Sequence, residues 1–336
     1  MSNAETGDDL LDQPAIVAVR RITIRLADRA EHRWRKLAAT ASADRTSYAP
    51  PSESLHDFRV ALRSLASWVQ AHDDILGLKR KDRRRLRRSV AATSGVRDAE
   101  VLSARLLSIE WPSEAGSAAA RWWVTRLRRD ADAADRLDKM AHDTNRSLAA
   151  IRSAAATVKW EQPVDAPWRF PSLAAELAPR VRAQATTLRH RFERITGPDR
   201  TREQHRARLA AKKLRYLLEP IEADLPQARA ALRELKELQN RLGELHDLST
   251  ALDALGAAAD AAHRATKRKR DPSLRSGFDE VATALRLAAD EAWAVFEQQY
   301  HSDRTADQFA AVEAVATALG TRSSSGADPA PPLTAP

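Results

Sequence analysis

The chain contains no cysteine, which excludes disulfides, thiolate metal sites and a cysteine nucleophile at once, and suits a reducing compartment. Aromatic residues make up only 5% of the chain and glycine only 10 of its 336 residues. Nothing here resembles a stacking platform for bases, a Gly-rich phosphate loop or a β-rich sandwich. No stretch approaches the ~20 apolar residues needed to span a bilayer. The first residues, "MSNAETGDDLLDQ", are acidic and polar rather than a leader. The expectation is a soluble cytoplasmic protein with no membrane partner.

What is present is charge and helix-forming residues. Against 46 Asp+Glu stand 55 Lys+Arg, a net charge of +9 carried mostly by arginine. Composition alone fits a solvated helical surface as well as a polyanionic partner. Ala, Leu, Arg and Glu dominate, and apolar residues recur every three or four positions, so the fold class is all-α. Helices are expected over 14–40, 54–74, 79–93, 98–108 and 117–156, and then over 172–195, 201–219, 226–242, 247–262, 272–300 and 302–319. The stretch "EQPVDAPWRFP" carries three prolines and interrupts any helix. It makes 161–171 a linker between an N-terminal half at 14–160 and a C-terminal half at 172–320. Residues 1–13 and 321–336 read as disordered tails.

The two halves repeat. A shift of 149 residues without a gap places His56 on His205, Arg59 on Arg208, Arg63 on Lys212, Leu65 on Leu214 and Asp98 on Asp247. On a helix turning about 100° per residue from His56, the apolar Phe58, Leu62, Leu65 and Val69 gather near 180–240°, while Arg59 and Arg63 fall near 300° and 340°. The second copy puts Ala207, Ala211, Leu214 and Leu218 on its packing face, and His205, Arg208, Lys212 and Arg215 on a basic edge. Neither helix offers acids to neutralise that edge: residues 58–72 and 204–218 contain none. Cations three and four apart lie ~5–6 Å from one another, and a row of guanidinium forks suits a row of phosphates. The repeated aspartates, Asp98 and Asp247, read as openers of helices, where a carboxylate satisfies free N–H groups.

These segments resemble the CHAD family, the conserved-histidine α-helical domain. "LHDFRVALRSL" is similar to its first signature and "GVRDAEVL" to the Arg-Asp segment that follows. "HRARLAAKKLRYLLE" is similar to its second signature, and "LKELQNRLGELHDLSTAL" to its last segment, the whole spanning roughly 15–319. The resemblance implies a stand-alone CHAD domain over 14–320. It would consist of two four-helix-type bundles related by a pseudo-twofold, with a basic cavity between them that binds inorganic polyphosphate. Carried over by position, the binding residues would be His56, Arg59, Arg63 and Arg97 from one half and His205, Arg208, Lys212, Lys213 and Arg215 from the other. Two departures thin this lining: Ser64 stands where many members have a second arginine, and His246 replaces an arginine-like residue opposite Arg97.

Three rival readings follow from the same residues. A metal site on a helix wants ligands three or four apart, and no two of His32, His56, His72, His142, His190, His205, His246, His263 and His301 have that spacing. Phosphoryl acceptance by His56 or His205 would need a metal or an equivalent clamp. Nucleic acid would be attracted by the same cations, and by "KRKR" at 267–270, without being read. The chain lacks a Walker lysine loop, a paired-carboxylate motif and a Glu-x-Glu-x-Lys strand, so the expectation is binding without turnover and without a cofactor.

Overall fold

A computed structural model describes residues 9–43, 52–130, 134–157, 171–266, 272–300 and 309–325. Among them there are twelve α-helices and no strand. The first seven are α1 (Ala15–Ala43), α2 (Ser52–Ala71), α3 (Asp73–Leu76), α4 (Arg80–Ala92), α5 (Ser94–Ser108), α6 (Glu114–Asp130) and α7 (Ala134–Thr157). They are followed by α8 (Leu173–Glu193), α9 (Thr201–Leu218), a 3-10 turn at Glu219–Ile221, α10 (Pro226–Thr266), α11 (Pro272–Tyr300) and α12 (Ala310–Ser325).

The apolar faces read from α2 and α9 are the packing faces. Phe58, Leu62, Leu65 and Val69, and opposite them Ala207, Ala211, Leu214 and Leu218, are all buried. α1 lies along α2, α8 and α10 flank α9, and α2 meets α9 directly. One apolar cluster joins these helices with α12 and parts of α4, α7 and α11; a second joins α5 and α6 to the far half of α10 and the near half of α11. Trp122 and Trp123 of α6 close on Phe278 of α11, at 6.0 and 6.2 Å between ring centres.

Several boundaries differ from the sequence reading. The two helices expected over 226–242 and 247–262 are one, the 41-residue α10. Glycine at 243 weakens a helix by about 1 kcal/mol, but Leu238, Leu242, Leu245 and Leu248 are buried along a stripe that runs straight through it. Of the helix expected over 117–156, residues 117–130 lie in α6 and 134–156 in α7, and 131–133 are outside the described residues. The last helix extends to Ser325, past the tail boundary at 321. At the other end residues 9–13 are docked rather than loose. Leu11 is fully buried, the carbonyls of Leu11 and Gln13 accept from Ala174 and Leu173, and Asp9 pairs with Arg322. Residues 158–170, which include all of the 161–171 linker but its last residue, and the "KRKR" run lie outside the described residues.

At Gly77 the chain turns from α3 toward α4 with φ 59°, a left-handed conformation that glycine adopts without strain. That turn sets α4 against α2, α5 and α7, where it becomes one wall of the site.

Candidate functional site

Where α2, α4, α5, α9 and α10 converge there is a cavity of about 440 Å³, the size of a small-ligand site. α2 contributes Arg59 and Arg63, and α9 contributes His205, Arg208 and Lys212. Val69 and Leu86 give one wall an apolar surface, and Tyr216 lines another part. The basic edges of the two repeated helices thus face one space.

Lys212 shows what that space does to a charge. Its ammonium is pushed down to about 7, first by burial and then by Arg208, Arg63, Arg215 and Arg59 around it. Among the described residues, no carboxylate lies within ion-pair distance of Lys212 or Arg208. Arg208 runs over Gly243, where an added Cβ would sit 3.4 Å from its Nε. Gly243 therefore gives the Arg208 guanidinium room against the α10 backbone. Arg59 is buried, with 7% of its surface exposed, so this charge lies well inside the fold.

At one end of the cavity the rings of His205 and His246 meet at 4.5 Å between centres, tilted by 46°. Both are held below the ordinary histidine range, mainly by burial. His246 and then Arg208 act further on His205, while Arg208 acts on His246 against the opposing pull of Asp98. His205 Nδ1 is buried without a hydrogen-bond partner among the described residues. Spacing along one helix did not signal this pair, because the two rings come from different helices.

Asp98 and Asp247 also line this end. Neither opens a helix, contrary to the sequence reading: Asp98 lies within α5 and Asp247 in the interior of α10, so no free N–H groups await them. Burial pushes the Asp247 carboxyl up, and Asp98 adds to that, while Arg208 opposes it. Electrostatically, Asp98 acts on His246 and Arg208 acts on Asp247.

Other expected residues are elsewhere. His56 is exposed and does not line the cavity, and Lys213 is exposed. Lys213 follows Lys212 by one residue, about 100° around the helix, which turns it outward. Arg215 also leaves the cavity: its guanidinium lies 5.0 Å from the Tyr216 ring centre, and its Nε is 3.4 Å from Glu219 Oε1. Ser64 is buried and donates to Glu219 Oε2 at 3.4 Å, so its position serves that carboxylate rather than the lining. The Arg97 side chain lies outside the described residues.

Two lining cations were not anticipated. Arg83 and Arg87 reach the cavity from α4. Their signal is the run "RKDRRRLRR", in which cations occupy so many positions that periodicity cannot show which ones turn inward.

A CHAD domain family model matches residues 25–256, well over half of the chain. Among solved structures, the CHAD domain from the plant Ricinus communis is similar to 91% of this chain over 93% of its own, with a TM-score of 0.57 at 19% identity. No curated protein matches. The four signature segments, the all-helical fold shared with that plant domain and the span of the family model agree: this chain belongs to the CHAD domain family.

Proposed function

We propose that the chain binds inorganic polyphosphate in this cavity and does not turn it over. In this reading the N- and C-terminal halves are related by a pseudo-twofold, and each contributes one basic edge to the same ligand. The observation that carries it is that Arg59 and Arg63 of α2 and His205, Arg208 and Lys212 of α9 line one cavity, where the half-buried Lys212 ammonium is pushed down to about 7 by burial and by the arginines around it. Such a site is electrostatically unfavourable when empty of anion and is relieved by phosphate oxygens. Condensed phosphate is favoured over nucleic acid in this reading because the chain carries no recognisable base-reading motif beside its cations. Membership in a family linked to polyphosphate points the same way. Association with polyphosphate granules in the cytoplasm belongs to the same reading.

The purified protein is expected to bind long-chain polyphosphate in preference to duplex DNA at equal phosphate concentration and physiological salt. Affinity is expected to fall steeply as salt rises, since counterions are released when several phosphates are neutralised. Equal or tighter binding of DNA, or a dissociation constant indifferent to salt, would overturn the proposal. Release of orthophosphate from the polymer, with or without added Mg²⁺, would overturn its non-catalytic half.

The perturbed bases make binding pH-dependent. Lys212, His205 and His246 all favour their neutral forms in the cavity, and a bound anion favours their charged forms, so binding takes up protons. Affinity is expected to rise as pH falls from about 8 to about 6. Calorimetry near neutral pH in buffers of different ionisation enthalpy should register that uptake; proton release on binding would contradict it.

A further inference from the structure

We propose that the outward face of α4 is a second anion-binding surface, continuous with the cavity, which holds the part of a polyphosphate chain that emerges from it. This rests on the cavity being a polyphosphate site and extends it to chain-length selection.

The nine residues from Arg80 to Arg88 contain seven cations. Three are neutralised within the fold: Arg83 pairs with Asp73, Arg85 with Asp82 at 2.8 Å, and Arg88 with Asp143 at 3.2 Å. Arg80, Lys81, Arg84 and Arg87 are exposed and, among the described residues, have no ion pair. Around the helix, at about 100° per residue, Leu86, Val90, Arg83 and Arg87 span the side turned to the cavity. Arg80 and Arg84 come next beyond Arg87, and Lys81 lies further round. Cations therefore run from the cavity wall onto the open surface at steps of three and four residues.

A merely solvated helix does not need this arrangement. Like charges three and four apart repel, and cations in the first turns oppose the positive end of the helix dipole. The first turn of α4 contains one acid, Asp82, which is buried and paired with Arg85. A polyanion lying along the face would relieve both penalties, and the cavity alone is too small to contain a long chain.

The test uses the full chain with Arg80→Gln, Lys81→Gln and Arg84→Gln combined, none of which lines the cavity. Tripolyphosphate, which the cavity can enclose, is expected to bind within about twofold of wild type. Long-chain polyphosphate is expected to weaken about tenfold or more, with a salt dependence shallower by roughly two to three phosphate contacts. A control with Arg121→Gln, Arg128→Gln and Arg129→Gln on exposed positions of α6 removes the same net charge, and long-chain affinity should stay within about twofold of wild type. The inference is overturned if the α4 variant binds long chains as wild type does, if it loses short and long chains in proportion, or if the α6 control loses as much. It is also overturned if only DNA binding falls, which would make the face a nucleic-acid contact. Wild type binding neither polyphosphate length would instead sink the cavity reading itself.

Discussion

Replacing Arg208 and Lys212 together by alanine is expected to weaken long-chain polyphosphate binding by about a hundredfold or more, roughly 2.8 kcal/mol at 1.4 kcal/mol per decade. Replacing Arg59 and Arg63 is expected to do the same. The quadruple variant should be little worse than either double. The reason is geometric: all four residues line one cavity, so a chain held by one edge is already positioned for the other, and contacts that share a ligand are not additive. Pyrophosphate should bind far more weakly than the polymer, because it cannot engage both edges. Titration calorimetry reads affinity and stoichiometry together, with melting temperature as the check on folding. If each double variant kept half the binding capacity at undiminished affinity, the two edges would be independent sites and the shared cavity would be wrong.

Those four residues were legible in the sequence because two periodicities coincide on them. The helical repeat separates Arg59 and Arg63 from the buried Phe58, Leu62, Leu65 and Val69, and the 149-residue shift finds the same separation on α9. What such reasoning does not contain is the contact between helices. His205 and His246 are brought together only by the packing of α9 on α10, and Arg83 and Arg87 only by the rotation of α4.

Asp98 and Asp247 failed for a different reason. Asp98 is not at a helix start because α5 begins four residues earlier, at Ser94, and Asp247 is not because a buried leucine stripe keeps α10 continuous across Gly243. Local breaker signals are worth about 1 kcal/mol, and burial of several leucines outweighs that. Extending the basic ladder to Arg215 overlooked its own acid four residues on, at Glu219.

Stability is expected to separate from binding by helix face. Leu65→Ala or Leu214→Ala should cost ~2–5 kcal/mol, because each side chain is fully buried and its removal leaves a cavity between packed helices. Lys212→Met should do the reverse, keeping or raising stability while weakening polyphosphate binding, since it removes a half-buried ammonium from among arginines. The effect has a defined pH dependence. Lys212 has its folded value near 7 and its ordinary value at 10.5, so between them the unfolded chain holds a proton that the folded chain does not. Wild-type stability therefore gains from Lys212 as pH rises through that window, and the penalty of the charged lysine is fully present below about 7. The advantage of Lys212→Met over wild type should be largest near pH 6.5 and shrink toward pH 10. Urea unfolding of both proteins across that range measures it. Added polyphosphate should reverse the order near neutral pH by stabilising wild type more than the variant, because only the folded cavity binds it and Lys212 supplies part of the affinity. If Lys212→Met instead unfolds the protein at every pH, the lysine is a structural partner within the fold and not a charge held ready for an anion.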